Sequence, residues 1–189
     1  MTKNNEKLKK IFNQEVVSVV QEYFKCGFQV YNAHIYRTYN TKRNPGSPYN
    51  SSPYGSTSNW HHDGSSTDSL KLFLLVHDTK EIHGPMKFLN KTESMRALKK
   101  GFKFRNKNWN TILDNENKYR SLTGATGEMF LVDTNRCLHR AGEPQDQLTR
   151  DYLVIYLGSS KEEYDKKWYE IANRSDPWGF KRLSDAYNL

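Results

Sequence analysis

The pentad Trp60-His61-His62-Asp63-Gly64 is answered far along the chain by Cys137-Leu138-His139 and, eleven residues later, by Arg150. Side chains alternate along an extended segment, so His61 and Asp63 point to one face while His62 points to the other. A distant His139 completes three donors on one side of a metal ion and leaves the opposite positions open, the 2-His-1-carboxylate arrangement of non-haem Fe(II) oxygenases. Arg150 meets a second need of that chemistry. A planar guanidinium is the natural two-pronged holder of a carboxylate, and a carboxylate-bearing cosubstrate such as 2-oxoglutarate requires one.

Each of these residues has a plainer reading. His61 and Asp63 are otherwise a loop histidine and a turn aspartate before Gly64, and Arg150 an exposed arginine; the presence of all four in this order favours the metal site. A shifted register, His62-x-Gly64, would resemble halogenases in which a halide replaces the carboxylate, but Asp63 and its partner His61 argue against it. Cys137 shares the face of His139 on an extended segment, yet a buried free cysteine is more often a small apolar residue. Arg140, on the other face, reads as a surface charge. Tyr36 and Lys71 are polar groups set in apolar strands and are further candidates to contact 2-oxoglutarate, although either side chain can reach the surface from a sheet. Tyr49, Tyr54 and Trp60 either line the mouth of the site or pack the loop before it.

The elements that must position these groups are mostly strands. Between Asn5 and Phe24 the residues Leu8, Ile11, Phe12, Val16, Val19, Val20 and Phe24 recur at three and four, which predicts an amphipathic helix stopped by Gly27. Phe28–Tyr39 reads as extended. Asn40–Ser58, dense in Pro, Gly, Ser, Asn and Tyr, is a long loop leading into His61 and a candidate lid. Ser69–His77 is apolar on both faces and therefore central in a sheet. Further strands are expected over Gly84–Asn90, Gly127–Asp133, Arg136–Arg140 and Thr149–Gly158, with a short helix over Thr92–Lys100 capped by Thr92. Phe102–Lys118 is a polar insertion without a clear periodicity, and Lys161–Ala172 reads as a closing helix.

Composition narrows the function classes. At 189 residues, 35% hydrophobic and 13% aromatic, the chain is expected to fold as one domain with its core over about 28–158 and helical flanks over 5–24 and 161–172. The longest apolar run, Leu70–Val76, is far too short for a membrane span, and the polar start lacks a secretory signal, so the cytoplasm is the expected location and no membrane partner is expected. Asn50-Ser-Ser, Asn90-Lys-Thr and Asn173-Arg-Ser are then chance glycosylation matches. Two cysteines, Cys26 and Cys137, make no disulfide framework and no thiolate metal site. The net charge of +8 is scattered, with small clusters at Lys99–Arg105 and Lys166-Lys167. It is better explained by a solvated surface, or by attraction of an anionic substrate, than by nucleic-acid recognition.

Short strands separated by turn signals suggest a jelly roll, which lets ligands come from strands distant in sequence. The order Trp-His-x-Asp, Leu-Lys-Leu-Phe-Leu-Leu-Val-His-Asp, Gly-Pro-Met, Gly-Glu-Met-Phe-Leu-Val-Asp-Thr-Asn-Arg-Cys-Leu-His-Arg-Ala-Gly and a late Arg resembles the phytanoyl-CoA dioxygenase family, over about Phe28 to Gly158. The resemblance implies a mainly β, cupin-like double-stranded β-helix with flanking helices. It also implies Fe(II) held by His61, Asp63 and His139, 2-oxoglutarate chelating through its C1 carboxylate and C2 ketone, and Arg150 on its C5 carboxylate. Dioxygen would be the second cosubstrate, and hydroxylation of a small-molecule or anionic substrate would accompany release of succinate and carbon dioxide. A non-catalytic jelly-roll binding protein and a nucleic-acid-directed oxygenase are the alternatives. The four intact site residues count against the first, and the lack of a recognised binding motif against the second.

Overall fold

The computed structural model describes residues 10–40, 59–63, 69–103 and 107–160. The expected lid over 41–58, with Tyr49 and Tyr54, and the expected closing helix over 161–172 lie outside them. The described chain falls into two compact units, the first holding 10–34, 69–70 and 155–160, the second 35–40, 59–63, 71–103 and 107–154. No helix among the described residues is long and apolar enough to cross a membrane.

In the first unit, residues 10–13 are not helical and helix α1 runs over Gln14–Phe24, while positions 5–9 of the expected helix lie outside the described residues. Asn13 is the reason: its side-chain oxygen accepts the Val16 N–H at 2.9 Å, satisfying one of the orphan donors of the first turn. The helix ends at Lys25, left-handed at φ 56°, and Gly27 opens the next strand instead of stopping the helix. Val16 and Val20 are buried, with Ile11 and Phe12 of the preceding turn, while Val19 is exposed; the apolar stripe is narrower than the sequence count. Phe12 meets Phe28 at a ring distance of 6.0 Å, and Tyr156 packs against Tyr31 and His34.

Four strands form one sheet in the order β1 (Gly27–Tyr39), β7 (Thr149–Ser160), β2 (Ser69–Leu75), β5 (Met129–Val132). β2 therefore has a neighbour on each side, as its two-sided apolar pattern requires. It runs antiparallel to β5 with Lys71 opposite Val132 and Leu74 opposite Met129. Three short strands, β3 (Lys87–Phe88), β4 (Arg120–Ser121) and β6 (His139–Arg140), form a second sheet in the order β4-β3-β6. The strands expected over Gly84–Asn90 and Arg136–Arg140 shrink to two residues each, because Glu81–His83 is a 3-10 turn, Gly84 is left-handed at φ 61°, and Asp133 caps the turn into 136. Gly84 also admits no side chain: a Cβ there would lie 2.2 Å from the Glu143 carbonyl carbon.

Helix α2 (Lys91–Lys99) is capped by Asn90, whose side chain accepts the Glu93 N–H at 2.9 Å, so Thr92 lies inside the helix instead of capping it. The polar insertion contains a third helix, α3 (Lys107–Glu116), with Leu113 buried and Trp109 half-buried. The second unit's core joins both helices to the strands through Trp60, Leu89, Ala97, Leu113 and Leu138, with Phe102, Trp109 and Tyr119 around them. Trp60 is 1% exposed. It packs the core and does not line a mouth.

Candidate metal centre

His61 and His139 face each other across an isolated antiparallel bridge. Each donates its backbone N–H to the other's carbonyl, at 2.9 and 2.8 Å. Directly opposed residues of an antiparallel pair send their side chains to the same face, and the two imidazole centroids are 4.3 Å apart. Each ring is oriented by a carbonyl two residues earlier: His61 Nδ1 lies 2.7 Å from the Asn59 oxygen and His139 Nδ1 3.0 Å from the Cys137 oxygen. With Nδ1–H donating there, both Nε2 lone pairs are aimed at the third residue. Asp63 is fixed by its own N–H to the Thr134 carbonyl at 3.0 Å, and its Oδ1 lies 3.9 Å from His61 Nε2 and 3.5 Å from His139 Nε2. One ligand atom from each of the three falls within 4.8 Å of the others.

The electrostatics suit a cation. Burial, with His139 alongside, pushes His61 down to about 4, so the ring is neutral at ordinary pH. Burial alone would raise Asp63, but the His139 imidazole and the Lys71 charge outweigh it and hold the carboxyl well below the usual carboxylate range. Two imidazole nitrogens and one carboxylate are the donor set of a borderline divalent ion. Metal bonds of roughly 2.0–2.2 Å place adjacent donors about 3 Å apart, so small side-chain adjustments close the set; the residues fit the metal. His62 is exposed. Cys137 is not among the clustered donors: burial raises its thiol, as an inert small residue requires, and its part is the carbonyl that turns His139.

Arg150, on β7, is 6% exposed. Its Nη1 donates to the Gly142 carbonyl at 3.1 Å and its Nη2 to Thr38 Oγ1 at 3.0 Å, and its guanidinium lies 5.1 Å from the Tyr152 ring. The adjacent carboxylate, Asp151, is claimed by Arg37 through a two-pronged pair at 2.6 and 2.9 Å. Among the described residues no carboxylate pairs with Arg150, and burial presses its pKa down. A buried cation without a counter-charge is costly and calls for an anion from elsewhere. Tyr36 lies two residues before Thr38 on β1, hence on the same face, and is exposed. Lys71 sits on Asp63, 2.7 Å from Oδ2.

Several supporting residues were not foreseen. Asp114 of α3 accepts the indole N–H of Trp60 at 3.2 Å and pairs with Arg140 at 3.1 Å, so one carboxylate braces the neighbours of both histidines. Arg140 is therefore a partly buried strut and not a surface charge. Asn110 accepts the Trp60 backbone N–H at 3.0 Å and donates to the Asn59 side chain. Ser94, fully buried in α2, accepts the Leu138 N–H at 2.9 Å. Phe88 is paired with His139 in register, which brings its ring to the metal face. A signal for α3 was present, since Trp109 and Leu113 stand at helical spacing; the cross-strand role of Phe88 had none.

The sequence matches no protein-family model and no curated protein sequence. Solved structures share its fold. EctD from S. alaskensis with bound Fe matches with a TM-score of 0.56 at 12% identity, over 93% of this chain and 59% of that one. The same protein with 2-oxoglutarate and 5-hydroxyectoine gives 0.52 at 9% identity, over 91% and 61%. SnoN, a non-haem alpha-ketoglutarate-dependent epimerase of nogalamycin biosynthesis, gives 0.51 at 11% identity, over 94% and 66%. This chain spans less than two thirds of the length of each.

Proposed function

We propose that this protein is a cytoplasmic Fe(II)- and 2-oxoglutarate-dependent oxygenase on a double-stranded β-helix of the phytanoyl-CoA dioxygenase type, hydroxylating a small-molecule or anionic substrate. The observation that carries the reading is the convergence of His61 Nε2, His139 Nε2 and Asp63 Oδ1, each imidazole turned by a backbone carbonyl so that its free nitrogen faces the carboxylate. EctD, similar in fold, is a structure with Fe and with 2-oxoglutarate, and SnoN is described as dependent on the same keto acid.

In this reading His61, Asp63 and His139 hold the iron. When bound, it supplies the redox chemistry toward dioxygen that none of these side chains has. Arg150 and the Thr38 hydroxyl receive the distal carboxylate of 2-oxoglutarate, which provides the counter-charge that no described residue supplies. Trp60 and Leu138, buried beside His61 and His139, close the imidazole side of the site, while Asp63 stays open to solvent. The test is direct. Purified protein with Fe(II), 2-oxoglutarate and air should form succinate, and His61→Ala or His139→Ala should abolish it without unfolding the chain. Undiminished succinate formation in His139→Ala would refute the assignment.

A further inference from the structure

Lys71 is an odd residue for its strand. β2 reads Ser-Leu-Lys-Leu-Phe-Leu-Leu and is flanked on both sides, so an ammonium here needs a partner. The partner is Asp63, and the geometry divides that carboxylate in two. Oδ2 is 2.7 Å from Lys71 Nζ, the length of a charge-assisted hydrogen bond. Oδ1 faces the two imidazole nitrogens at 3.5 and 3.9 Å. The Lys71 side chain is 18% exposed and that of Asp63 26%, so the contact is partly shielded from solvent.

A carboxylate can give a metal one oxygen or two. On a six-coordinate ion, three protein donor atoms leave three positions, enough for a chelating keto acid and dioxygen; a fourth protein donor leaves only two. We propose that Lys71 is a positioning residue that holds Oδ2 of Asp63 away, so that the carboxylate offers a metal Oδ1 alone and the remaining positions stay open to the cosubstrates. This rests on the metal-site reading above. It differs from a direct contact between Lys71 and 2-oxoglutarate, because such a contact would favour keto acids bearing a second carboxylate, whereas an occupied metal position hinders every chelator equally.

The experiment compares wild type and Lys71→Met, both loaded anaerobically with Co(II), in three measurements. Thermal unfolding of the metal-free proteins establishes that the variant folds. Isotope-edited infrared spectra of protein labelled with 13C-aspartate report how the carboxylate binds. Visible titrations with 2-oxoglutarate and with pyruvate report chelation. Wild type should show the wide separation of carboxylate stretches of a one-oxygen ligand, and the variant the narrow separation of a chelating one. Both keto acids should bind the variant about ten- to a hundredfold more weakly, the range seen when partners behind metal ligands are removed. Weakening confined to 2-oxoglutarate, or unchanged spectra and affinities in a wild type that binds Co(II), would overturn the role of Lys71 alone. A wild type that takes up no Co(II) would overturn the metal site and this proposal together.

Discussion

Replacing Arg150 by lysine keeps the charge and removes the fork. A guanidinium has five N–H donors; among the described residues two are taken, by the Gly142 carbonyl and Thr38 Oγ1, which leaves the others for a ligand. Arg150 is 6% exposed, so water does not replace a lost contact. A charge-assisted hydrogen bond in such a setting is worth roughly 1.5–3 kcal/mol, about ten- to a hundredfold in affinity. Arg150→Lys should therefore weaken 2-oxoglutarate binding by that factor, and Arg150→Met by more, with metal affinity unchanged. The assay is anaerobic titration of the iron-loaded protein, following the metal-to-keto-acid charge-transfer absorption, with pyruvate as the control that lacks the distal carboxylate. Pyruvate affinity should not move. Unchanged 2-oxoglutarate midpoints in both variants would refute the argument and leave Arg150 a structural residue satisfied by Gly142 and Thr38.

Asp114→Ala should destabilise the fold by roughly 1–3 kcal/mol, because it strands the buried indole N–H of Trp60 and the guanidinium of Arg140, whose Nε has no partner among the described residues. For a chain of this size that is about 2–4 °C in melting temperature per kcal/mol, and a melt unchanged within 1 °C, on the order of experimental error, would show that α3 does not brace the ligand strands. The metal-free protein should also lose stability as pH falls. His61 titrates at about 4 when folded against 6.5 unfolded, so the unfolded chain takes up the proton first; the penalty is absent above pH 6.5, grows down to pH 4 and saturates below it. Its size is about 3 kcal/mol. Asp63 titrates below that window and does not oppose it. Urea midpoints between pH 7 and 4 check the slope, which His61→Asn should flatten.

The convergence of His61, Asp63 and His139 was legible because alternation fixes which face an extended residue occupies, and the three side chains do cluster. The central position of β2 was legible from an apolar pattern that suits only a strand covered on both sides. What the sequence hid was set by contacts between distant segments. Arg140 looked like surface charge since nothing near it in the chain predicts Asp114 behind it, and the pairing of Lys71 with Asp63 has no mark in the sequence between them. The helix ends moved for a local reason: Asn13 and Asn90 each supply the capping oxygen at a point that apolar periodicity does not mark. The insertion carried only the short signal of Trp109 and Leu113 at helical spacing, because the contacts that give α3 its role come from its polar residues Asn110 and Asp114.

His61 and His139 occupy one rung of backbone pairing although the strands that carry them are remote in the chain. Closing so long a loop costs chain entropy, which the two backbone hydrogen bonds of the rung must help to offset. An ion gripping both imidazoles would act as a latch on that rung. By mass action it adds about 2.7 kcal/mol when present at a hundred times its dissociation constant. Metal supply would then set how long each molecule survives: without the ion the same polypeptide carries an open latch and meets proteases at this rung.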